Sequence, residues 1–361
     1  MIGLSTICRS EQCSTFFPTM NEPLDIEDPS AFRAYLARSG LVEAIDSPTM
    51  TVLPGGVSSR TVLVEWPDCR GLVFKQALPK LRVAVDWFSD PVRVHREALG
   101  LRTLAALAPP GTVPAAIHED FENHVAGMEA VPRPHENWKS LLLAGHLDDD
   151  HVRQFGRWLG VVHRRSWLQR HELSHAFDDR SFFESLRIEP YYQYTASQVP
   201  EAAAFIERLV DSTRSRRLTL VHGDFSPKNV LVHSGRVVVL DFEVIHWGDP
   251  SFDLGFGLTH LLSKAHHVGG LRSEFGRAAA AFFNTYRDEL GDVPWAADLE
   301  PFAVRQALGC LLARVAGRSP LEYLDSEERR RQRSAVLALL ALPPDRVQDL
   351  VEAFLAGLET A

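Results

Sequence analysis

Cysteine is scarce in this sequence, and the cysteines present follow no metal-binding or disulfide-rich pattern. The 361 residues include four cysteines, Cys8, Cys13, Cys69 and Cys310, and none of them forms a CxxC pair. The fifteen histidines are scattered and form no HExxH motif, so we expect no structural zinc site. Reduced thiols of this kind are typical of the cytoplasm, and we expect cytoplasmic localisation.

Long apolar runs and an excess of positive charge are also missing. No apolar segment approaches the roughly 20 residues that cross a bilayer, and residues 1–22 lack the continuous apolar segment of a signal peptide. We expect residues 1–22 to form a disordered leader. The formal net charge of -9 disfavours binding to nucleic acid or to an anionic membrane. The expected partner is therefore a small molecule, and the sequence leaves the oligomeric state open.

The residue pattern predicts an α+β protein with two lobes, residues 23–131 and 132–361. Hydrophobic residues make up 45% of the sequence and charged residues 24%, as is usual for a globular chain. The predicted elements of the first lobe are a short helix capped by Asp28, strands within 50–66 and 71–78, and a helix from Asp90 to Pro109. Beyond residue 131 most segments have helical periodicity.

One carboxylate of the predicted second helix lies on the apolar side of that helix. Val94 and Ala98 belong to the apolar stripe, and Glu97 falls within it. A carboxylate held against an apolar surface needs a polar or charged partner. The nearest candidate is Lys75, in the preceding strand GLVFKQAL.

A cluster of polar residues surrounds two short apolar runs in HGDFSPKNVLVHSGRVVVLDFE, residues 222–243. The Ser-Gly pair between the runs is compatible with a two-residue hairpin loop. In that register Asn229 faces Leu240, so Asp241 lies beside Asn229, and Asp224 lies on the loop that enters the hairpin. Asn and Asp oxygens bind hard cations, and a second Asp can accept a proton. The spacing predicts a magnesium-phosphate site with a base beside it; the alternative is an ordinary hairpin with polar ends.

HGDFSPKNVLV followed by VLDFEVIHWGDPSFDLGF resembles the signature of the aminoglycoside phosphotransferase and choline kinase-like family. The resemblance covers roughly residues 50–330 and is most specific in 222–255. FKQALPKLRV and the Asp-Phe-Glu at 241–243 resemble the methylthioribose kinase-like members in particular. The resemblance implies a protein-kinase-like two-lobed fold, with a small antiparallel sheet and one main helix in the N-terminal lobe and a larger, mostly helical C-terminal lobe.

The same resemblance implies ATP and Mg²⁺ as cofactors and a role for each matching residue. Asp224 would orient or deprotonate the acceptor hydroxyl, and Asn229 and Asp241 would hold the magnesium ion. Lys75 would contact the α and β phosphates and pair with Glu97, while Asp253 would brace the catalytic loop. The loop over the phosphates would comprise Gly55, Gly56, Val57, Ser58 and Ser59, and the adenine would meet backbone groups of Glu129 and Val131 in a hinge over residues 128–131.

Some positions depart from the family pattern or leave alternatives open. The glycine loop PGGVSSR lacks a full GxGxxG, and Glu243 replaces the glycine found in protein kinases. Glu243, Trp247, Arg314 and Arg318 are candidate substrate contacts. Trp247 is equally compatible with a core position, and the two arginines with solvated charge on one side of a helix.

The expected function is an ATP-dependent kinase that phosphorylates a hydroxyl of a small metabolite. The first candidate acceptor is a methylthioribose-like sugar, and the alternative is an aminoglycoside or a choline-like amino alcohol. A catalytically silent nucleotide-binding protein on the same fold is less favoured, because Lys75, Glu97, Asp224, Asn229 and Asp241 are all present. A protein kinase is disfavoured because the HRD and APE motifs are missing.

Overall fold

The structure, a computed structural model, describes residues 23–42, 47–54, 56–68, 70–83 and 86–360. The predicted leader 1–22 lies outside the described residues, as does Gly55. The strands are β1 (Thr49–Val52), β2 (Ser59–Glu65), β3 (Gly71–Ala77), β4 (Ala116–Asp120), β5 (Val125–Glu129), β6 (His135–Asn137), β7 (Thr219–Val221), β8 (Val230–His233), β9 (Arg236–Val239) and β10 (His246–Gly248).

The helices enclose the sheets and form most of the second half of the chain. They are α1 (Pro29–Arg38), α2 (Arg93–Leu107), α3 (Trp138–Leu143), α4 (Asp149–Leu168), α5 (Arg170–Ala176), α6 (Ser181–Phe183), α7 (Tyr194–Gln198), α8 (Ala203–Ser215), α9 (Pro250–His267), α10 (Arg272–Leu290), α11 (Leu299–Ala316), α12 (Ser326–Leu340) and α13 (Val347–Thr360). A π-helical segment, Glu184–Gln193, connects α6 to α7.

The N-terminal part is an antiparallel sheet in the order β1-β2-β3-β5-β4 with one helix on each face. Because side chains alternate along a strand, the side chains of β3 lie alternately on the two faces of the sheet. Phe74 packs under α1 against Phe32, with ring centroids 5.3 Å apart. Ala77, on the other face, packs against the apolar side of α2. Lys75 shares the face of Ala77 and is therefore directed towards α2.

The first helix has the predicted cap, whereas α2 begins later than predicted. The Asp28 carboxylate accepts hydrogen bonds from the N–H groups of Ser30 and Ala31, so the predicted cap is confirmed. The helix predicted from Asp90 begins at Arg93 instead. The reason is a tight turn over residues 90–92, in which the N–H of Arg93 bonds the carbonyl of Asp90 three positions earlier.

Beyond the sheet, the chain is mostly helical and shares one large apolar core. Helix α4 packs against α10, and α9 packs against both α10 and α11. Two small antiparallel sheets, β6-β8-β9 and β7-β10, pack against helices of this part. The predicted α+β class is confirmed, while the boundary at residue 131 stays a proposal. Among the described helices, none is both long and apolar enough to cross a membrane.

Candidate active site

The hairpin of β8 and β9 has the predicted register. Val232 pairs with Val237 and His233 with Arg236. The two turn residues, Ser234 and Gly235, both have positive φ, at 49° and 71°, which is the backbone of the type I′ turn that two-residue hairpins favour. This turn fixes which residues meet at the open end of the hairpin.

At that open end, Asn229 and Asp241 leave the two strands side by side. The Leu240 N–H donates to the Asn229 carbonyl at 2.9 Å, which extends the pairing to the residue before Asp241. Asp241 itself has φ of 73°, a conformation that is uncommon for residues other than glycine and that clusters at functional sites. The predicted proximity of Asn229 and Asp241 is therefore present in the structure.

Lys75 joins the hairpin to the N-terminal sheet. Its Nζ lies 2.6 Å from Glu97 Oε1 and 2.7 Å from Asp241 Oδ1. Both contacts are short enough for charge-assisted hydrogen bonds. The lysine from β3 thus bridges a carboxylate on α2 and a carboxylate on the hairpin. The apolar position of Glu97 and the family resemblance predicted the first of these two contacts.

The three charges of this triad perturb one another. Burial raises the pKa of Glu97 to about 7, since the opposing effect of Lys75 is smaller and Asp241 adds a second negative charge. Burial also raises the pKa of Asp241, but Lys75 and Lys228 together lower it by more, so the pKa of Asp241 lies below its ordinary value. Burial lowers the pKa of Lys75, and the two carboxylates together raise it above the ordinary lysine value. Near neutral pH the triad therefore holds an ionised Lys75 and Asp241, with Glu97 close to its midpoint.

The second carboxylate of the motif, Asp224, is held by Asn229, which was a candidate site residue, and by Arg187, which was not. Asn229 Nδ2 donates to Asp224 Oδ2 at 2.8 Å and to its backbone carbonyl at 3.0 Å. Arg187 Nη2 lies 3.1 Å from Asp224 Oδ1, and Arg187 Nε donates to the Gly223 carbonyl at 2.7 Å. Arg187 belongs to the π-helical segment, and π-helical turns are frequent at functional sites. An arginine between the apolar Leu186 and Ile188 was the available sequence signal.

Asp253 holds the loop that carries Asp224. From the first turn of α9, its carboxylate accepts the N–H of His222 at 2.7 Å and of Gly223 at 2.9 Å. His163 Nε2 lies 3.4 Å from the same carboxylate. Burial alone raises the pKa of Asp253, but His163 and these donors lower it below its ordinary value. Asp253 therefore fixes the backbone just before Asp224 from within the core.

The described part of the glycine loop lies over the same cleft and is anchored by a buried arginine. Arg93, which is fully buried, donates to the backbone carbonyl of Ser58 and to that of Leu78. Arg93 Nε also lies 3.1 Å from Glu243 Oε2. Burial and the nearby Asp241 raise the pKa of Glu243. Glu243, a candidate substrate contact, is thus already paired, and it connects the hairpin to the loop over the cleft.

The proposed hinge lies at the edge of the cleft with one backbone donor free. The N–H of Glu129 donates to the Ala115 carbonyl at 2.9 Å, and the N–H of Ala130 donates to the Gly71 carbonyl. Within the described ranges no acceptor contacts the N–H of Val131. Val131 also lines the cavity.

A cavity of about 810 Å³ joins these features. The predicted site residues that line it are Gly56, Val57, Ser58, Ser59, Lys75, Glu129, Val131, Asp224, Asn229, Asp241, Glu243, Arg314 and Arg318. Glu97 lies behind Lys75, away from the wall. Trp247 is buried in the core, where its indole N–H donates to the Arg217 carbonyl. The structure therefore places Trp247 outside the cleft, and of its two interpretations the core position is the one observed.

Comparisons with known proteins identify the family of this chain. Residues 49–291 match the model of the phosphotransferase enzyme family. The methylthioribose kinase of Yersinia pseudotuberculosis serotype O:3 is 27% identical over 233 residues, which cover 58% of this chain and 57% of that protein. The chain thus matches little more than half the length of that curated relative.

Two solved structures share the fold at low sequence identity. An amicoumacin kinase, solved with AMP-PNP, Ca²⁺ and Ami, has a TM-score of 0.53 at 13% identity and covers 87% of this chain and 94% of that one. An ethanolamine kinase of Plasmodium vivax has a TM-score of 0.54 at 11% identity and covers 86% of this chain and 89% of that one. At these identities the likeness concerns the fold.

Proposed function

We infer that this chain, which belongs to the phosphotransferase enzyme family, transfers the γ-phosphoryl group of ATP to a hydroxyl of a small molecule. The observation that carries this inference is the position of Lys75 between Glu97 and Asp241, with Asp224 at the other side of the same hairpin. Phosphoryl transfer needs a cation for the phosphate oxygens and a carboxylate for the incoming hydroxyl. Both are present in one cleft.

The nucleotide would occupy the part of the cavity under the five-stranded sheet. The adenine edge would meet the free N–H of Val131 and the carbonyl of Glu129, and the glycine loop would cover the phosphates. Lys75 would reach the α and β phosphates from β3, held in place by Glu97. The amicoumacin kinase that shares this fold was solved with AMP-PNP, which supports a nucleotide in the corresponding cleft here.

We propose that the nucleotide binds with Mg²⁺ held by Asn229 and Asp241. Asp241 Oδ1 bonds Lys75, and Asn229 donates through Nδ2, so Asp241 Oδ2 and Asn229 Oδ1 have no partner among the described residues. These two oxygens fit a hard cation, which commonly takes one or two protein oxygens together with substrate phosphates. No cluster of three or more His, Cys, Asp or Glu in the described chain offers an alternative metal site. The ion would neutralise charge on the phosphates.

Asp224 would act on the acceptor hydroxyl. Its carboxylate is fixed by Asn229 and Arg187 and its backbone by Asp253, so it needs no reorganisation when a hydroxyl arrives. Positioned groups of this kind supply much of the rate enhancement in phosphoryl transfer. Asp224 would receive the proton as the new oxygen–phosphorus bond forms.

The acceptor is proposed from the relatives and from the cavity wall. The Yersinia relative is a methylthioribose kinase, which supports a sugar-like alcohol as the first candidate. The alternative is an amino alcohol or an aminoglycoside, and the ethanolamine kinase of the same fold represents that class. A cationic acceptor favours acidic residues around it, whereas Arg187, Arg314 and Arg318 line this end of the cavity.

A panel of alcohols tests the proposal. ADP formation from ATP and Mg²⁺ is measured with methylthioribose, kanamycin, choline, ethanolamine, D-glycerate and glycerol 3-phosphate. The proteins compared are the wild type, Asp224→Ala and the control Asp292→Ala, an exposed aspartate without an ion pair to a described residue. We expect turnover with at least one acceptor, a loss of about 10²- to 10⁴-fold in Asp224→Ala, retained nucleotide affinity in that variant, and wild-type turnover in the control. Nucleotide binding without turnover on any acceptor would instead support a catalytically silent protein.

A further inference from the structure

The wall of the cavity beyond Asp224, together with the layer behind it, contains buried basic side chains that form no ion pair with a described carboxylate. Burial lowers the pKa of one of them, His260, well below its ordinary value, so this residue is a neutral imidazole. We call His260, Lys264 and Arg314 the basic cluster. His260 and Lys264 lie one turn apart on α9, and Arg314 lies in the last turn of α11, which packs against α9. His260 and Arg314 line the cavity, and Lys264 lies directly behind His260.

Arg314 is the clearest member, because it is 8% exposed and has no ion pair with any described residue. Its Nη1 donates to the Tyr191 hydroxyl at 2.9 Å and to Ser319 Oγ at 3.0 Å. Its Nε is buried without a partner in the described chain. A buried guanidinium without a counter-charge is costly, so an incoming anion would supply the counter-charge that the described residues lack.

Lys264 is also a buried basic residue, and unlike Arg314 it does not line the cavity. It is fully buried, its Nζ donates to the His260 carbonyl at 3.2 Å, and it lies 5.3 Å from the centre of the Tyr323 ring. No described carboxylate forms an ion pair with it. Burial, followed by the charge of Lys139, lowers the pKa of Lys264 to about 7. Lys264 is therefore a buried base whose protonated form a nearby anion would stabilise.

The carboxylates near the basic cluster are already engaged with other cations. Glu189 pairs with Arg318 at 2.9 Å, Glu322 pairs with Lys139, and Asp224 pairs with Arg187 at 3.1 Å. Glu322 also attracts Lys264 and Arg314 electrostatically, but none of these three carboxylates forms an ion pair with Arg314 or Lys264. Lys228, which also lines the cavity, adds a further positive charge at its exposed rim. The acceptor end of the cavity is therefore cationic.

We propose that the basic cluster binds an acidic group of the acceptor, so that the substrate is an alcohol that also carries a carboxylate or a phosphate. This inference rests on the proposed function and narrows its substrate class. Arginine recognises both anions through paired N–H donors, and His260 lines the wall beside it. An amino sugar or amino alcohol would bring a positive charge to a region that repels it. Bound in this way, the acid would place its hydroxyl end towards Asp224.

Alcohols that differ only in charge provide the test. The probes are D-glucose, D-glucuronate and D-glucosamine as one set, and glycerol, D-glycerate, glycerol 3-phosphate and 2-amino-1,3-propanediol as another. Binding to the full chain is measured by calorimetry with AMP-PNP and Mg²⁺ at low ionic strength. We expect at least one acid to bind 10-fold or more tightly than its neutral counterpart, and both amines to bind more weakly than that counterpart. Comparing glycerate with glycerol 3-phosphate separates the carboxylate from the phosphate.

Variants connect the preference to the basic cluster. In Arg314→Gln the affinity for the preferred acid should fall by about 10- to 100-fold, the range of a charged hydrogen bond, and the affinity for the neutral alcohol by clearly less, so that the ratio of the two affinities falls. Lys264→Met provides a second test of the same preference, so the inference stays testable if Arg314→Gln does not fold. Arg208→Gln, at an exposed arginine of α8, is the control and should retain the preference.

The outcomes separate this inference from the proposed function. Absence of any acid preference in both sets, including absence of all binding, would overturn the inference, as would a preference that persists undiminished in both variants. Phosphorylation of neutral or amino alcohols without an acid preference would leave the kinase intact and remove only the acidic acceptor. An acid preference without ADP formation on any alcohol would retain the basic cluster as an anion site and remove the kinase.

Discussion

Replacement of Glu97 by Gln isolates the charge that holds Lys75. Glutamine has nearly the same size, and its side-chain oxygen can still accept the 2.6 Å hydrogen bond from Lys75. What the substitution removes is the negative charge of a residue that is 1% exposed. The wild type and Glu97→Gln should therefore differ mainly in how their stability depends on pH.

The size and sign of that difference follow from the pKa of Glu97, which burial raises from 4.5 to about 7. Between those values the folded protein binds a proton that the unfolded chain has released, so stability falls as pH rises. The gap between 4.5 and about 7 corresponds to about 3 kcal/mol. Asp241 has a lowered pKa and Lys75 a raised one, so neither titrates in this window. The unfolding free energy of the wild type minus that of Glu97→Gln should fall by up to about 3 kcal/mol from pH 4.5 to 7.5.

Urea denaturation of both proteins at pH 5, 6, 7 and 8 measures this difference. The matched control is Glu122→Gln, which removes an exposed glutamate that makes no ion pair with a described residue. The difference between the wild type and the control should stay within about 0.5 kcal/mol over the whole range. Parallel curves for the wild type and Glu97→Gln would contradict the idea that Glu97 is held near neutral pH as a buried acid.

Two further substitutions test the packing that aligns the site. A Cβ at Gly100 of α2 would lie 2.9 Å from Phe242 Cβ, so Gly100→Ala should lower the unfolding free energy by about 1–3 kcal/mol in urea denaturation and lower turnover. The control Gly270→Ala, with open space around its Cβ, should stay within about 0.5 kcal/mol of the wild type. Equal stabilities of the two variants would refute the close contact at Gly100. Arg93→Met leaves Glu243 without its buried cation and should cost about 3–5 kcal/mol. Adding Glu243→Met should recover part of that loss, and a double variant less stable than Arg93→Met would argue against the ion pair.

The parts of the site that were predictable from sequence depend on local rules. The Ser-Gly turn fixed the hairpin register and hence the proximity of Asn229 and Asp241. The period of β3 and the apolar stripe of α2 brought Lys75 and Glu97 together. The resemblance to the aminoglycoside phosphotransferase family, drawn from the motifs around Asp224 and Asp241, is confirmed by the family match. In each case the decisive information lay within one or two neighbouring elements.

The parts that sequence missed depend on distant elements. Arg93 and Glu243 are 150 positions apart, and only the docking of α2 against the hairpin brings them together. Arg187 meets Asp224 because the chain forms a π-helical segment, which has no distinct sequence pattern. For Arg314 the sequence left a substrate contact and solvated charge both open, since spacing on α11 does not reveal that Tyr191 covers it. Tertiary packing decides such contacts, and one sequence does not specify it.

The central claim is that the cleft transfers phosphate to an alcohol and that Asp224 faces that alcohol. Phosphorus NMR of a reaction with ATP, Mg²⁺ and the acceptor that gives most ADP tests it directly. For the wild type we predict that the γ-phosphate signal is converted into a phosphate monoester of the acceptor, and for Asp224→Ala that it persists although the nucleotide still binds. Inorganic phosphate as the only product, or equal monoester formation by Asp224→Ala, would contradict the account.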